Sequence, residues 1–267
     1  MEERYGFIGT GNMGGAVARA VCRAVGGEKV LLCNRTPEKA RRLAQELGCG
    51  TADNETAAAS CRYLFLGVKP QGMAPLLTAL RPILQQHRPV LVSMAAGITA
   101  ARLEELAGGN LPVMRIMPNT PVAIGCGVVM YCKNALLSPE DEQVLVRALS
   151  PAGIVDPLAE GLMDAGSALC GCSPAFTDLY LEALADGAVA CGIPRAKALR
   201  YAAAAVAGAA RLALESGSHP GALKDAVCSP AGSTIQGVRA LEDRAFRGAV
   251  MEAVITAAEA NSGLGKQ

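Results

Sequence analysis

The stretch GFIGTGNMGGAVARAV, residues 6 to 21, sets glycines at positions 9, 11 and 14 between an apolar run and a helix-like pattern. Tyr5 to Ile8 reads as a strand and the residues beyond Asn12 as a helix, so the glycines fall on the connecting turn. Each has its own reason to lack a side chain. Gly9 permits the tight turn, Gly11 lets the backbone approach a pyrophosphate, and Gly14 allows strand and helix to pack closely. The helix N-terminus presents unpaired N–H groups to the phosphates. At the head of a βαβ unit, this fingerprint predicts dinucleotide binding.

Outward from that unit, the β-rich runs YGFIG, VLLCN, YLFLGV, PVLVSM, PVMRIM, GVVMYC and AGIVDPL alternate with helical stretches. The alternation predicts an α/β fold with an N-terminal Rossmann-type, doubly wound, mostly parallel sheet. From residue 159 onward the β-rich runs stop, and Ser-Pro, Ile-Pro and His-Pro pairs open one helix after another. The expected division is a dinucleotide-binding domain over residues 1–158 and an all-α domain over residues 159–267. Within the latter, ALRYAAAAVAGAARLALE (residues 198 to 215) is unusually small in its side chains. Such a helix either packs internally or meets a second copy of the chain. A helical half this short has little of its own to cover so many apolar faces, which favours the subunit interface.

The second strand and its helix, KVLLCNRTPEKARRLA (residues 29 to 44), place Asn34, Arg35 and Thr36 where NAD-selective sites carry an acid for the ribose hydroxyls. Arg35 at a helix start is electrostatically misplaced unless an anion sits beside it. That favours a 2′-phosphate over a merely solvated charge, and therefore NADPH, with NADH as the lesser alternative. Ligands of open α/β sheets lie beyond the carboxyl ends of the strands, so FLGVKP and SMAAGI border the same cleft. Lys69 reads equally as a ribose or phosphate contact and as a surface lysine. RIMPNTP, residues 115 to 121, ends the fifth strand of this count and puts Asn119 in the cleft near the nicotinamide, unless the turn is purely structural.

The 25 basic and 24 acidic residues leave a formal charge of +1 with no block of one sign, and aromatics are 3% of the chain, so no nucleic-acid partner is expected. No apolar run reaches membrane-spanning length, and a charged N-terminus that passes straight into a strand is unlike a signal or transit peptide. A cytoplasmic protein acting on a small molecule is the reading. Ten cysteines scattered through apolar stretches read as buried thiols in a reducing compartment. Cys170 and Cys172 lack the second pair and the histidines of a structural zinc site, so no metal is expected.

Carbonyl reduction calls for a general acid or base beside the hydride acceptor, and the chain offers little: His87 reads as a solvent-loop residue and His219 as a helix start. A protonated C=N is already electrophilic, and its product nitrogen keeps the proton, so imine reduction asks mainly for placement. VCSPAGSTIQGVRALE, residues 227 to 242, offers a feature that fits. Ser229, Ser233 and Thr234, with N–H groups around Ala231 and Gly232, make either a neutral nest for a small carboxylate or a helix start capped by Ser229.

Together GFIGTGNMG, VKP, AAGI, RIMPNTP, SPAFTDLYLEALADGAVACGIP and VCSPAGSTIQGVRALE resemble the pyrroline-5-carboxylate reductase family over essentially the whole chain. The last stretch is close to the family's SPGGTTI followed by Leu-Glu. The resemblance implies hydride transfer from NAD(P)H to the ring imine of 1-pyrroline-5-carboxylate, giving L-proline in the last step of its biosynthesis. It implies a homodimer interlocked through the helical domain, assembling up to a decamer of dimers. It implies a carboxylate held by Ala231, Gly232, Ser233 and Thr234, with Thr234 orienting or protonating the imine and Ser229 as a second catalytic candidate. Cofactor contacts fall on Gly9, Thr10, Gly11, Asn12, Met13 and Gly14, on Asn34, Arg35, Thr36 and Asn54, on Gly67, Val68, Lys69 and Pro70, and on Met94, Ala95 and Ala96, with Asn119 added.

The chain departs from that pattern in places. The family's SGSGPA reads Cys170, Gly171, Cys172, Ser173, Pro174 and Ala175 here, which we read as tolerated packing changes. Gly217 and Ala226 stand where some relatives have polar contacts, and those contacts do not carry over. Ala231 replaces a glycine and is expected to resist a positive φ while keeping its N–H in place. Two other readings stand beside the reductase. An NADPH-dependent β-hydroxyacid dehydrogenase-like enzyme would need a catalytic lysine in the first helix of the second domain, where PAFTDLYLEALADGA has none. A non-catalytic NADPH-binding sensor would show a damaged fingerprint or loop, and both are intact.

Overall fold

A computed structural model describes residues 3–264. The chain separates into two compact units, one holding the residues up to Gly171 together with those from Ala257, the other Cys172–Thr256. The first unit begins β1 (Tyr5–Ile8), α1 (Asn12–Val25), β2 (Val30–Cys33), α2 (Pro37–Leu47), β3 (Gly50–Thr51), α3 (Asn54–Ser60), β4 (Tyr63–Leu66) and α4 (Pro70–His87). It continues through β5 (Val90–Ser93), α5 (Ala100–Leu106), β6 (Val113–Pro118), β7 (Gly127–Lys133), α6 (Pro139–Leu149), β8 (Gly153–Pro157) and α7 (Met163–Gly166).

All seven β-rich runs are strands of one sheet, in the order β3-β2-β1-β4-β5-β6-β7-β8. One feature departs from the sequence reading. The two-residue β3 is too short to carry an alternation, and it makes the strand that ends at RIMPNTP the sixth rather than the fifth. β7 runs antiparallel to β6, while the other neighbouring strands pair in parallel. A parallel return needs a crossover of a dozen or more residues, and only a loop with one short 3-10 turn, Thr120–Ile124, joins this pair.

The central strands are buried on both faces, which is why they read as unbroken apolar runs. On one face Tyr5, Phe7, Phe65 and Val92 pack with α1 and α6, the Phe7 and Phe65 rings stacking at 4.4 Å. On the other, Ile8, Leu64, Leu66 and Leu91 meet Met73, Leu77 and Leu84 of α4. Each such side chain contributes about 1.5–3 kcal/mol by leaving water. His87 lies not in a loop but at the end of α4, which continues past Pro75 and Pro82 and is closed by the left-handed Arg88.

The second unit is helical: α8 (Ser173–Ala190), α9 (Arg195–Ser216), α10 (Pro220–Ala226), α11 (Ser233–Glu242) and the start of α12 (Phe246–Leu264). His219 is the N-cap of α10, its Nδ1 accepting from the Gly221 N–H at 3.1 Å. Ala185, Ala198 and Ala202 are the unit's buried apolar residues, whereas Leu179, Leu212, Leu214, Met251 and Ile255 are all more than half exposed. Among the described residues no helix is long and apolar enough to cross a membrane.

Candidate nucleotide cradle and carboxylate loop

The strand order reverses beside β1, and the loops after β1 and β4 meet there. The Gly9 N–H donates to the Cys33 carbonyl at 2.9 Å, and the Gly67 N–H to the Ile8 carbonyl at 2.8 Å. Gly9 has φ +95°; a Cβ on Gly14 would stand 2.1 Å from the Gly9 carbonyl oxygen, and one on Gly67 would stand 2.3 Å from it. Backbone therefore rests on backbone, and no side chain fits. Gly11 faces the opposite way, with nothing within 4 Å of where its Cβ would be.

The helix that follows is open to an anion. α1 starts at Gly11 without a side-chain cap or an acid in its first turn, and its first intrahelical bond is Gly15 N–H to Gly11 carbonyl. The N–H groups of Asn12, Met13 and Gly14 are left over, at the positive end of the dipole. Thr10 is buried, and its hydroxyl has no hydrogen-bond partner among the described residues. An orphan of this kind costs about 1–3 kcal/mol, which a phosphate oxygen alongside would offset. These residues fit a dinucleotide.

Beyond β2, a cleft of about 450 Å³ is lined by Cys33, Asn34, Pro37, Arg41, Asp53 and Asn54 among others, which brings Asn34 and Asn54 together. The Asn34 amide donates to the Thr36 carbonyl at 3.2 Å and shapes the turn. Arg35, in that turn, is exposed and makes no ion pair among the described residues. Asp53 caps α3 by accepting from the Thr56 N–H at 2.7 Å, which holds its carboxyl below the usual range. A second hollow of about 510 Å³ brings Arg19, Lys39 and Arg42, against the single acid Glu46, to the fingerprint residues Thr10, Gly11 and Asn12. Lys39 and Arg42 went unnoticed in the sequence, although their i, i+3 spacing on α2 places them on one helix face.

At the later strand ends, Lys69 is the N-cap of α4 with Pro70 in the first turn, and the Met94 N–H donates to the Leu66 carbonyl. Val68 packs against the core cluster under α4, Ala96 against the one around Met163, and Ala95 is buried. Asn119 has a structural role at the end of β6. Its carboxamide accepts from the Val128 N–H at 2.9 Å and donates to the Cys170 carbonyl at 3.0 Å, bracing β6 against β7 and the π-helical turn Ser167–Cys172. Arg115 escaped notice altogether. Its buried guanidinium lies 3.6 Å from both Glu160 and Asp164, partners that local patterning does not reveal.

In the second unit the loop before α11 corrects two expectations. Ser229 to Gly232 form a turn closed by the Gly232 N–H on the Ser229 carbonyl at 3.0 Å, with Pro230 second and Ala231 third. Ala231 has φ +58°, the left-handed value it was expected to resist, because the third position of such a turn demands it. Nor does Ser229 cap the helix: Gly232 is the N-cap, and no side chain accepts from the first turn. The first intrahelical bond is Gln236 N–H to Gly232 carbonyl, leaving the N–H groups of Ser233, Thr234 and Ile235 over. The exposed hydroxyls of Ser229 and Thr234 make no hydrogen bond among the described residues. A Cβ on Gly232 would stand 2.4 Å from the Ser229 Oγ. Among the described residues no group of three His, Cys, Asp or Glu side chains is placed to hold a metal ion.

Residues 160–264 match a family model described as pyrroline-5-carboxylate reductase dimerisation, and residues 4–97 one described as NADP oxidoreductase, coenzyme F420-dependent. Over 269 aligned residues the chain is 37% identical to the pyrroline-5-carboxylate reductase of Escherichia coli (strain K12), with 100% of each covered. Among solved structures it is similar to a pyrroline-5-carboxylate reductase from Coxiella burnetii (TM-score 0.92, 27% identity, 100% of both chains). It is similar also to the Plasmodium falciparum pyrroline carboxylate reductase with NADP bound (TM-score 0.87, 28% identity, 99% of this chain and 98% of that one).

Proposed function

This chain belongs to the pyrroline-5-carboxylate reductase family, and from that premise we propose how its residues carry out the reduction of 1-pyrroline-5-carboxylate to L-proline. NADPH, when bound, supplies the hydride that the imine carbon accepts. The N–H groups of Asn12, Met13 and Gly14 hold the pyrophosphate, and the Thr10 hydroxyl donates to a phosphate oxygen. Asn34 and Asn54 flank the adenosine end, where Arg35 and Thr36 hold the 2′-phosphate, so NADH binds less tightly. Gly67 to Pro70 and Met94 to Ala96 border the ribose nearer the nicotinamide, while Asn119 acts as a positioning residue.

The substrate carboxylate takes the spare N–H groups of Ser233 and Thr234, with the turn from Ala231 to Gly232 closing around it. Thr234 orients the ring nitrogen and supplies its proton, with Ser229 as the neighbouring hydroxyl. The observation that carries this assignment is the uncapped start of α11 behind a strained alanine. Both features cost stability, and an anion bound there offsets that cost. α8 contains no lysine, which speaks against a β-hydroxyacid dehydrogenase mechanism. The domain division at residues 158 and 159, a dimer through the exposed apolar faces of α9 and α12, assembly up to a decamer of dimers and a cytoplasmic location complete the proposal.

Loss of NADPH absorbance with purified protein and 1-pyrroline-5-carboxylate tests it. Turnover should be faster with NADPH than with NADH, and Thr234→Ala should lower kcat by about 10²-fold while leaving NADPH binding unchanged. NADPH that binds without being consumed refutes the reaction, and an unchanged kcat in the variant refutes the role of Thr234.

A further inference from the structure

Away from the nucleotide cleft, two thiols stand against each other. Cys22 lies in the last full turn of α1, and Cys49 follows the left-handed Gly48 that ends α2. Their Sγ atoms are 3.2 Å apart. Both are free, half-buried and packed against the core beneath the sheet. No other two cysteines are hydrogen-bonded to each other among the described residues. The proton the two share pushes the Cys22 thiol well above its ordinary pKa, burial adding to it, and holds Cys49 below. A hollow of about 350 Å³, lined by Arg19, Cys22, Arg23, Glu46 and Leu47, gives small molecules access to Cys22, with the Cys49 Sγ 3.2 Å beyond it.

We propose that Cys22 and Cys49 form a dithiol site for low-molecular-weight disulfides and are oxidised by them to an intramolecular disulfide. The thiolate of one member of the pair attacks one sulfur of the small disulfide, whose S–S bond breaks and releases one thiolate. The other thiol then gives up its proton and attacks the protein sulfur of that mixed disulfide, displacing the second thiolate. Two protein thiols are oxidised, one small disulfide is reduced, and two small thiols leave. Forming the bond requires the sulfurs to close from 3.2 Å to about 2.05 Å. The crosslink fastens the rear ends of α1 and α2, the two helices whose front ends meet the nucleotide, and leaves the glycine loop itself untouched.

The test exposes the full-length protein to glutathione disulfide, blocks the remaining thiols with iodoacetamide and maps the peptides by mass spectrometry. A Cys22–Cys49 crosslinked peptide, lighter by two hydrogens and restored by reductant, is expected, while the exposed Cys126 and Cys191 carry only single glutathiones. In Cys22→Ser, glutathione should remain trapped on Cys49. The proposal is overturned if Cys22 and Cys49 are both alkylated under conditions that load Cys126 and Cys191, or if the crosslink joins other cysteines.

Discussion

Ala231→Gly should make this protein more stable, although it removes a methyl group and loosens the unfolded chain. Ala231 is held at φ +58° by the turn that closes from Gly232 onto Ser229. For an L-residue with a Cβ that conformation costs about 1–2 kcal/mol. Glycine removes the cost but adds about 0.4–1 kcal/mol of unfolded-state freedom. The net gain is about 0.8 kcal/mol, or about 2 °C in Tm for a chain of this size. Ala245, at φ +54°, is a second site of the same kind, and Ala245→Gly should gain as much. Ala240→Gly, inside α11, should instead cost about 1 kcal/mol. Urea unfolding followed by far-UV circular dichroism compares the three, at matched protein concentration because an oligomer's midpoint depends on it. Substrate KM should stay unchanged in Ala231→Gly, since the turn's closing bond fixes the N–H groups whichever residue occupies the third position. If Ala231→Gly is destabilised as Ala240→Gly is, the argument from a strained loop is wrong.

Three further outcomes are expected. Gly14→Ala forces a methyl to within 2.1 Å of the Gly9 carbonyl oxygen, with backbone on both sides, so titration should show NADPH affinity lower by about 100-fold or more. Arg35→Ser should raise KM for NADPH about tenfold and leave KM for NADH alone, because the lost charge-assisted hydrogen bonds reach only the 2′-phosphate; equal effects on both cofactors would remove Arg35 from that role. Leu212→Asp puts a charge on the exposed apolar face of α9, and light scattering should show the mass shifting from oligomer toward single chains. An unchanged mass would exclude that face from the interface.

The sheet was legible because its central strands are buried on both faces and the glycine loop declares what precedes and follows it. β3 was not, since two residues carry no period. The antiparallel turn of β7 was hidden in the length of the segment after Asn119, which is too short for a crossover. Patterning says which residues are apolar, not which distant polar groups meet. Hence the Arg115 pairing with Glu160 and Asp164, and the bonds of Asn119 to Val128 and Cys170, emerge only in three dimensions. The loop at residues 229 to 234 was recognisable by composition, yet its conformation ran against the propensity of Ala231. Tertiary closure of the turn overrode local preference there.

The contact of Gly9, Gly14 and Gly67 also bears on how such an enzyme changes over generations. Positions defined by the absence of a side chain have no graded alternatives: every substitution introduces the same first carbon, and that carbon already collides. Selection therefore has nothing to tune at these three positions. Asn34, Arg35 and Thr36 lie on an open turn where many side chains fit. Under the cofactor contacts proposed above, a lineage can drift between cofactors differing only at the ribose through single replacements there, whereas abandoning dinucleotides altogether would require rebuilding backbone. Adaptability and permanence sit within one ligand's length of each other, divided by whether side chains or main chain make the contact.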